Sequence, residues 1–101
     1  MQLLDVSVHY LEMSAPNVRF VPPPCTGLAV RRVPSPSVDF YRSLYDAVGR
    51  DYHWLSRRKM SDEALTAILD DPLVEMHVLS VEGVEAGFAE LDRRTPGDIE
   101  I

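Results

Sequence analysis

Apolar and polar residues alternate in part through "LLDVSVHYLEM" (residues 3–13), a Val-, Leu- and Tyr-rich run that predicts a half-buried strand close to Met1. "SAPNVRFVPPPCTG" breaks the pattern with four prolines in fourteen residues; they cannot continue a helix or donate to a ladder, so this is a connecting loop. A second short strand, "LAVRRV" (28–33), stops at "PSPS", and Ser37 is placed to cap a helix. In "VDFYRSLYDAVGR" the residues Phe40, Tyr41, Leu44, Tyr45 and Val48 recur at helical spacing, with Asp39 in the first turn and Gly49 set to end the helix. "DYHWLSRRKM" keeps no clean period and reads as a loop or a broken helical turn.

A second helix starts at the cap Ser61, carries Ala64, Leu65, Ile68 and Leu69 on one stripe, and ends at about Asp71 before Pro72. Two strand-like runs then flank Glu82-Gly83, "VEMHVLSV" and "EAGFAEL", and predict a hairpin. Its loop length decides which side chains face each other. A two-residue loop sets Glu75 opposite Glu90, an unfavourable like-charge pair, and a four-residue loop sets His77 there instead, so the longer loop is expected. "RTPGD" is a further turn, and "DIEI" opens a third meander strand. The predicted order is β-β-α-α-β-β-β, an α+β fold with a mostly antiparallel sheet. Two short helices cover only one face of such a sheet, leaving the other without a layer.

Length and charge narrow the picture. The 101 residues fit one domain, spanning 1–101, with room for a single modest core. A net charge of −6 disfavours nucleic acid and anionic membrane as partners, and no apolar run approaches the roughly 18 residues of a membrane span. The basic clusters Arg31-Arg32, Arg57-Arg58-Lys59 and Arg93-Arg94 read as solvated faces. Cys25 is the only cysteine, and the N-terminus lacks the pattern of a signal peptide, so a cytoplasmic location is the default.

No spacing among His9, His53, His77 and Cys25 suits a metal, and neither a nucleophile elbow nor a glycine-rich phosphate loop is present. The candidates that remain are Glu90 and Glu100, on adjacent predicted strands and each flanked by apolar residues. A carboxylate so placed can act as a general base toward an amine; the competing reading puts both on the wet face of an alternating strand. Tyr52, His53 and Trp54 are either a packing plug over a helix end or part of a binding pocket.

"RSLYDAVGRDYHWLSRRKMSDEAL" followed by "VEMHVLSVEGVEAGFAELDRRTPGDIEI" resembles a bacterial subgroup of the GCN5-related N-acetyltransferase family over nearly the whole chain. The aromatic "YHW" followed by an arginine, the "VEGVEAGFAEL" hairpin and "DIEI", similar to the opening of the family's fourth, central strand, carry the likeness. The resemblance implies transfer of acetyl from acetyl-CoA to a primary amine, small-molecule or peptide, by direct attack. Glu100 then matches a position where several relatives carry the general base, and Tyr52, His53, Trp54 and Glu90 shape the amine pocket. It also implies that acetyl-CoA binds mainly to elements following "DIEI", so the chain is expected to be an incomplete domain, a truncated product or fragment inactive alone. A small non-catalytic α+β domain that completes its sheet with a partner chain, or dimerises through the exposed sheet edge, is the alternative expectation.

Overall fold

The computed structural model describes residues 3–15, 19, 21–52 and 54–101. Strand β1 (Leu28–Val33) is followed by helix α1 (Val38–Gly49), a 3₁₀ turn (Arg50–Tyr52), helix α2 (Asp62–Leu69), and strands β2 (Val74–Val81) and β3 (Val84–Asp92). The three strands form one antiparallel sheet in the order β1-β2-β3. The fold is α+β with two helices, as the periodicity predicts. Among the described residues no helix is long and apolar enough to cross a membrane.

Both helices begin where the sequence signals place them. The Ser37 hydroxyl accepts the Phe40 N–H and the Ser61 hydroxyl accepts the Ala64 N–H, each at 3.1 Å, filling donors that a helix start leaves open. Asp39, Asp62 and Glu63 in the first turns complement the helix dipoles. Helix α2 ends at Leu69, two residues before the expected limit. Pro72 disfavours helical geometry at Asp71, whose carboxylate instead accepts the Leu73 N–H at 2.9 Å and turns the chain into β2. Arg42 on α1 reaches the Met60 carbonyl at 2.8 Å and the Asp62 carboxylate at 3.0 Å, tying the connection to both helices.

The hairpin departs from the expected four-residue loop. Val81 pairs with Val84, leaving only Glu82 and Gly83 in the turn, both at positive φ (49° and 82°). Such a mirror-image turn matches strand twist, and glycine at its second position carries no steric penalty. The Glu75–Glu90 clash predicted for this loop is absent because β3 contains a bulge. Ser80 faces Glu85 while Leu79 faces Gly87, so Ala86 has no opposite residue and Glu90 faces Met76. Opposed residues share a face of the sheet, and Met76 points into the core; the bulge therefore brings Glu90 to the helix side.

Tyr41, Leu44 and Tyr45 of α1, Leu65 and Leu69 of α2, and Met76 and Val78 of β2 make up the buried core, with Phe88 packed against it. All of this lies on one face of the sheet. The other face carries Leu28, Val30, Leu79 and Val81 beside a charged patch centred on Glu75. Val30 is 68% exposed there.

The ends of the predicted order change. Residues 3–13 make no strand; the run is exposed and joins no ladder among the described residues. Alternation selects which side of a strand is apolar but supplies no partner edge, and a strand without a ladder is not stable. "DIEI" contributes one antiparallel bridge, in which Asp92 and Glu100 exchange backbone hydrogen bonds of 2.8 and 2.9 Å.

The bulge yields a paired prediction. Deleting Ala86 straightens β3 without changing what faces the core beyond it, so urea unfolding is expected to shift by no more than about 1 kcal/mol. Deleting Ala89 turns either Glu90 or Phe88 outward, with an expected loss of about 3 kcal/mol or more. Equal effects of the two deletions would refute the register argument.

Candidate functional site

The sheet's helix-side face, the end of α1 and residues 54–57 enclose an open groove of about 650 Å³. Its construction begins with helical spacing. Tyr41 and Tyr45 are four residues apart, so both rings lie on one stripe of α1, stacked with centroids 5.9 Å apart. After α1 the 3₁₀ turn reverses the chain, and the Trp54 N–H donates to the Gly49 carbonyl at 3.1 Å.

Gly49 has a role that its reading as a helix stop does not cover. A Cβ there would lie 2.5–2.8 Å from Trp54 ring and side-chain carbons, so only glycine lets the indole seat against the helix end. Its φ is not positive, and Arg50 caps α1 in helical geometry. The ring then tilts against Tyr45 (5.6 Å) and meets Phe88 of β3 edge-on (6.4 Å, 86°), leaving four aromatic side chains along the groove.

The polar centre of the groove is Glu90. Its Oε1 accepts the Tyr41 hydroxyl at 2.7 Å and its Oε2 accepts Arg57 Nη2 at 2.6 Å, with only 16% and 22% of the Glu90 and Arg57 side chains exposed. Both oxygens thus hold a donor, as a part-buried carboxylate requires. Burial pushes the Tyr41 phenol well above its ordinary range, and the hydrogen bond to Glu90 and its charge push it further. Burial works against the Arg57 charge, yet the neighbouring carboxylate outweighs it and the guanidinium is held more firmly protonated. The Arg57 N–H donates to the Tyr45 hydroxyl at 3.3 Å, fixing the loop to α1.

Of the residues singled out in the sequence, Trp54, Glu90 and Glu100 line this groove. Glu100 is exposed at its mouth, brought there by the bridge to Asp92; its carboxylate makes no hydrogen bond or ion pair among the described residues. Tyr52 lies outside the groove wall, 71% exposed, with its ring 6.4 Å from Trp54. His53 falls outside the described residues. Asp92 is clamped by Arg94 at 2.7–3.0 Å, and those hydrogen bonds bring its pKa down to about 2.

Tyr41, Tyr45, Arg57 and Phe88 join the groove without a site signal of their own in the sequence. The tyrosines fit the helix core stripe and Arg57 sits in a basic cluster, so local sequence shows no contact across the fold. On the open face, Glu75 meets Arg93 (2.9 Å), His77 (3.2 Å) and Arg32 (3.6 Å). The His77 hydrogen bond first, and the arginine charges after it, hold that carboxyl below its usual range. This cluster lies outside the aromatic groove; its His77 borders a separate shallow hollow with Val30, Leu79 and Phe88. Among the described residues no group of three or more His, Cys, Asp or Glu could hold a metal ion.

No protein-family model, curated protein or solved structure matches the chain.

Replacing Glu90 with Gln removes the counter-charge of Arg57, and an expected loss of about 2–3 kcal/mol follows in urea unfolding. The phenol of Tyr41 adds a pH dependence. Its folded pKa lies above the unfolded value, so the native state retains a proton that the unfolded chain releases, and stability falls as pH rises beyond about 10. Unfolding curves between about pH 8 and pH 11 should show this decline in the native protein and a shallower one in Tyr41→Phe.

Proposed function

We propose that these 101 residues form the acceptor side of an N-acetyltransferase of the GCN5-related type, acting in the cytoplasm on a small-molecule or peptide amine. One observation carries the reading: the hairpin and the bridge after it bring Glu90 and Glu100 to a single aromatic-walled groove beside residues 54–57. In that arrangement Trp54 and Phe88 form the wall for the amine's carbon skeleton. Glu100, exposed and unengaged among the described residues, faces the amino group as its counter-ion. Glu90 is occupied by Tyr41 and Arg57, so its part is to shape the pocket and hold Arg57 in place.

Acetyl-CoA, the acyl donor that this reading requires, does not fit the residues present. Its pyrophosphate calls for open backbone N–H groups at a helix start, whereas α1 and α2 are capped by Ser37 and Ser61 and carry Asp39, Asp62 and Glu63 in their first turns. Those carboxylates repel an anion. No acyl-transfer step is therefore assigned to these residues, and the proposal concerns acceptor binding.

The open sheet face supports a second reading, a non-catalytic domain that completes its sheet with a partner chain or through an exposed edge. Exposed Val30 beside Leu79 on that face is the favouring observation.

Calorimetry separates the two. Phenethylamine is expected to bind with a dissociation constant of about 1 mM, equivalent to some 4 kcal/mol, while acetyl-CoA gives no saturable heat. Micromolar binding of acetyl-CoA would overturn the assignment of the cofactor outside these residues. Silence toward phenethylamine, with a dimer at micromolar concentration by sedimentation, would favour the second reading.

A further inference from the structure

The groove joins two properties that are independent of acyl transfer. Its wall is aromatic: Tyr41, Tyr45, Trp54 and Phe88 all line it, and Trp54 keeps 40% of its surface exposed. Its ionisable lining is net negative, because one cation, Arg57, stands against Glu90, Asp92 and Glu100. Two of these carboxylates are already neutralised, Glu90 by Arg57 and Asp92 by Arg94. One uncompensated side-chain charge, that of Glu100, remains beside the aromatic wall among the described residues.

The geometry points to a binding site for a single organic ammonium head, held between the Trp54 face and the Glu100 carboxylate. Aromatic faces carry negative potential and attract a weakly hydrated cation, with tryptophan the strongest of them; the carboxylate supplies the matching charge. A neutral body of the same shape gains only the contact area. An anion gains nothing, since Arg57 is engaged by Glu90 and Glu100 repels it. Glu100 is the only side-chain carboxylate lining the groove that is left without a partner among the described residues.

This inference rests on the reading of the groove as a ligand site but not on acylation, and its probe is chosen accordingly. Choline carries a quaternary ammonium with no N–H to acylate, and 3,3-dimethylbutan-1-ol is its neutral isostere. Trp54 is the only tryptophan in the chain, so its emission reports on the groove alone. Titration of the full 101-residue chain with choline is expected to change that emission saturably, with the neutral alcohol weaker by on the order of tenfold. Glu100→Gln, at an exposed position, is expected to leave the circular dichroism spectrum unchanged and weaken choline by several-fold. Trp54→Leu, read by saturation transfer to the choline methyl protons, is expected to abolish the signal.

Equal response to choline and the alcohol, or no response to either, overturns the cation site. Choline binding that survives Glu100→Gln and Trp54→Leu overturns its placement. If phenethylamine binds and choline does not, recognition runs through the N–H groups, and the acceptor proposal stands while the cation site falls. Choline binding without phenethylamine binding has the opposite meaning.

Discussion

A carboxylate that faces the core must be matched there, and this constraint organises the molecule around Glu90. Leaving it unpaired would cost several kcal/mol, a large share of what a domain of this size has. Two donors meet it from different parts of the chain. Tyr41 comes from the middle of α1 and Arg57 from the loop after the 3₁₀ turn, so the Glu90 carboxylate joins helix, loop and sheet at one point. The bulge at Ala86 is the backbone condition for that junction, because an unbulged strand with the same two-residue turn would present Glu90 to the opposite face, against Glu75.

The second constraint is steric and lies at the helix end. Trp54 can close the groove only because Gly49 has no side chain, and Tyr45 and Phe88 limit the ring from two further sides. Burial of the tyrosines below and exposure of the indole above follow from the same packing. The groove is thus lined by residues held for structural reasons, and its free valence is the Glu100 charge at its mouth, unpaired among the described residues. Rigid walls with one adaptable charged group are the arrangement that small ligand sites use, since ordering the wall costs nothing on binding.

Much of the local structure was legible in the chain itself. The serine caps, the apolar stripes of both helices and the strands at 28–33 and 74–81 follow from spacing and capping chemistry, which act within a few residues. Hairpin register was not legible. Two- and four-residue loops both presuppose a regular ladder, and a single unopposed residue, Ala86, moves Glu90 to a position that neither contains. The strand expected at 3–13 failed for a related reason, as alternation describes one strand while pairing depends on an edge elsewhere in the chain. Site residues divide along the same line. Trp54, Glu90 and Glu100 stood out by type, whereas Tyr41 and Arg57 acquire their role only through a contact 49 and 33 residues away in sequence.

The two faces of the sheet solve the problem of charge in different ways, and the difference bears on where a ligand can act. On the open face Glu75 takes three basic partners, so its charge is engaged within the cluster. On the helix face Glu90, Asp92 and Glu85 each have an arginine, whereas Glu100, carried to the groove by the Asp92 bridge, has no side-chain partner among the described residues. The chain's net charge of −6 raises the local concentration of any cation near that position. Long-range attraction of this kind speeds encounter but does not discriminate, and salt screens it. Discrimination has to come from the aromatic wall, where shape and a weakly hydrated charge act together; a ligand lacking either one gains only half of what the groove offers.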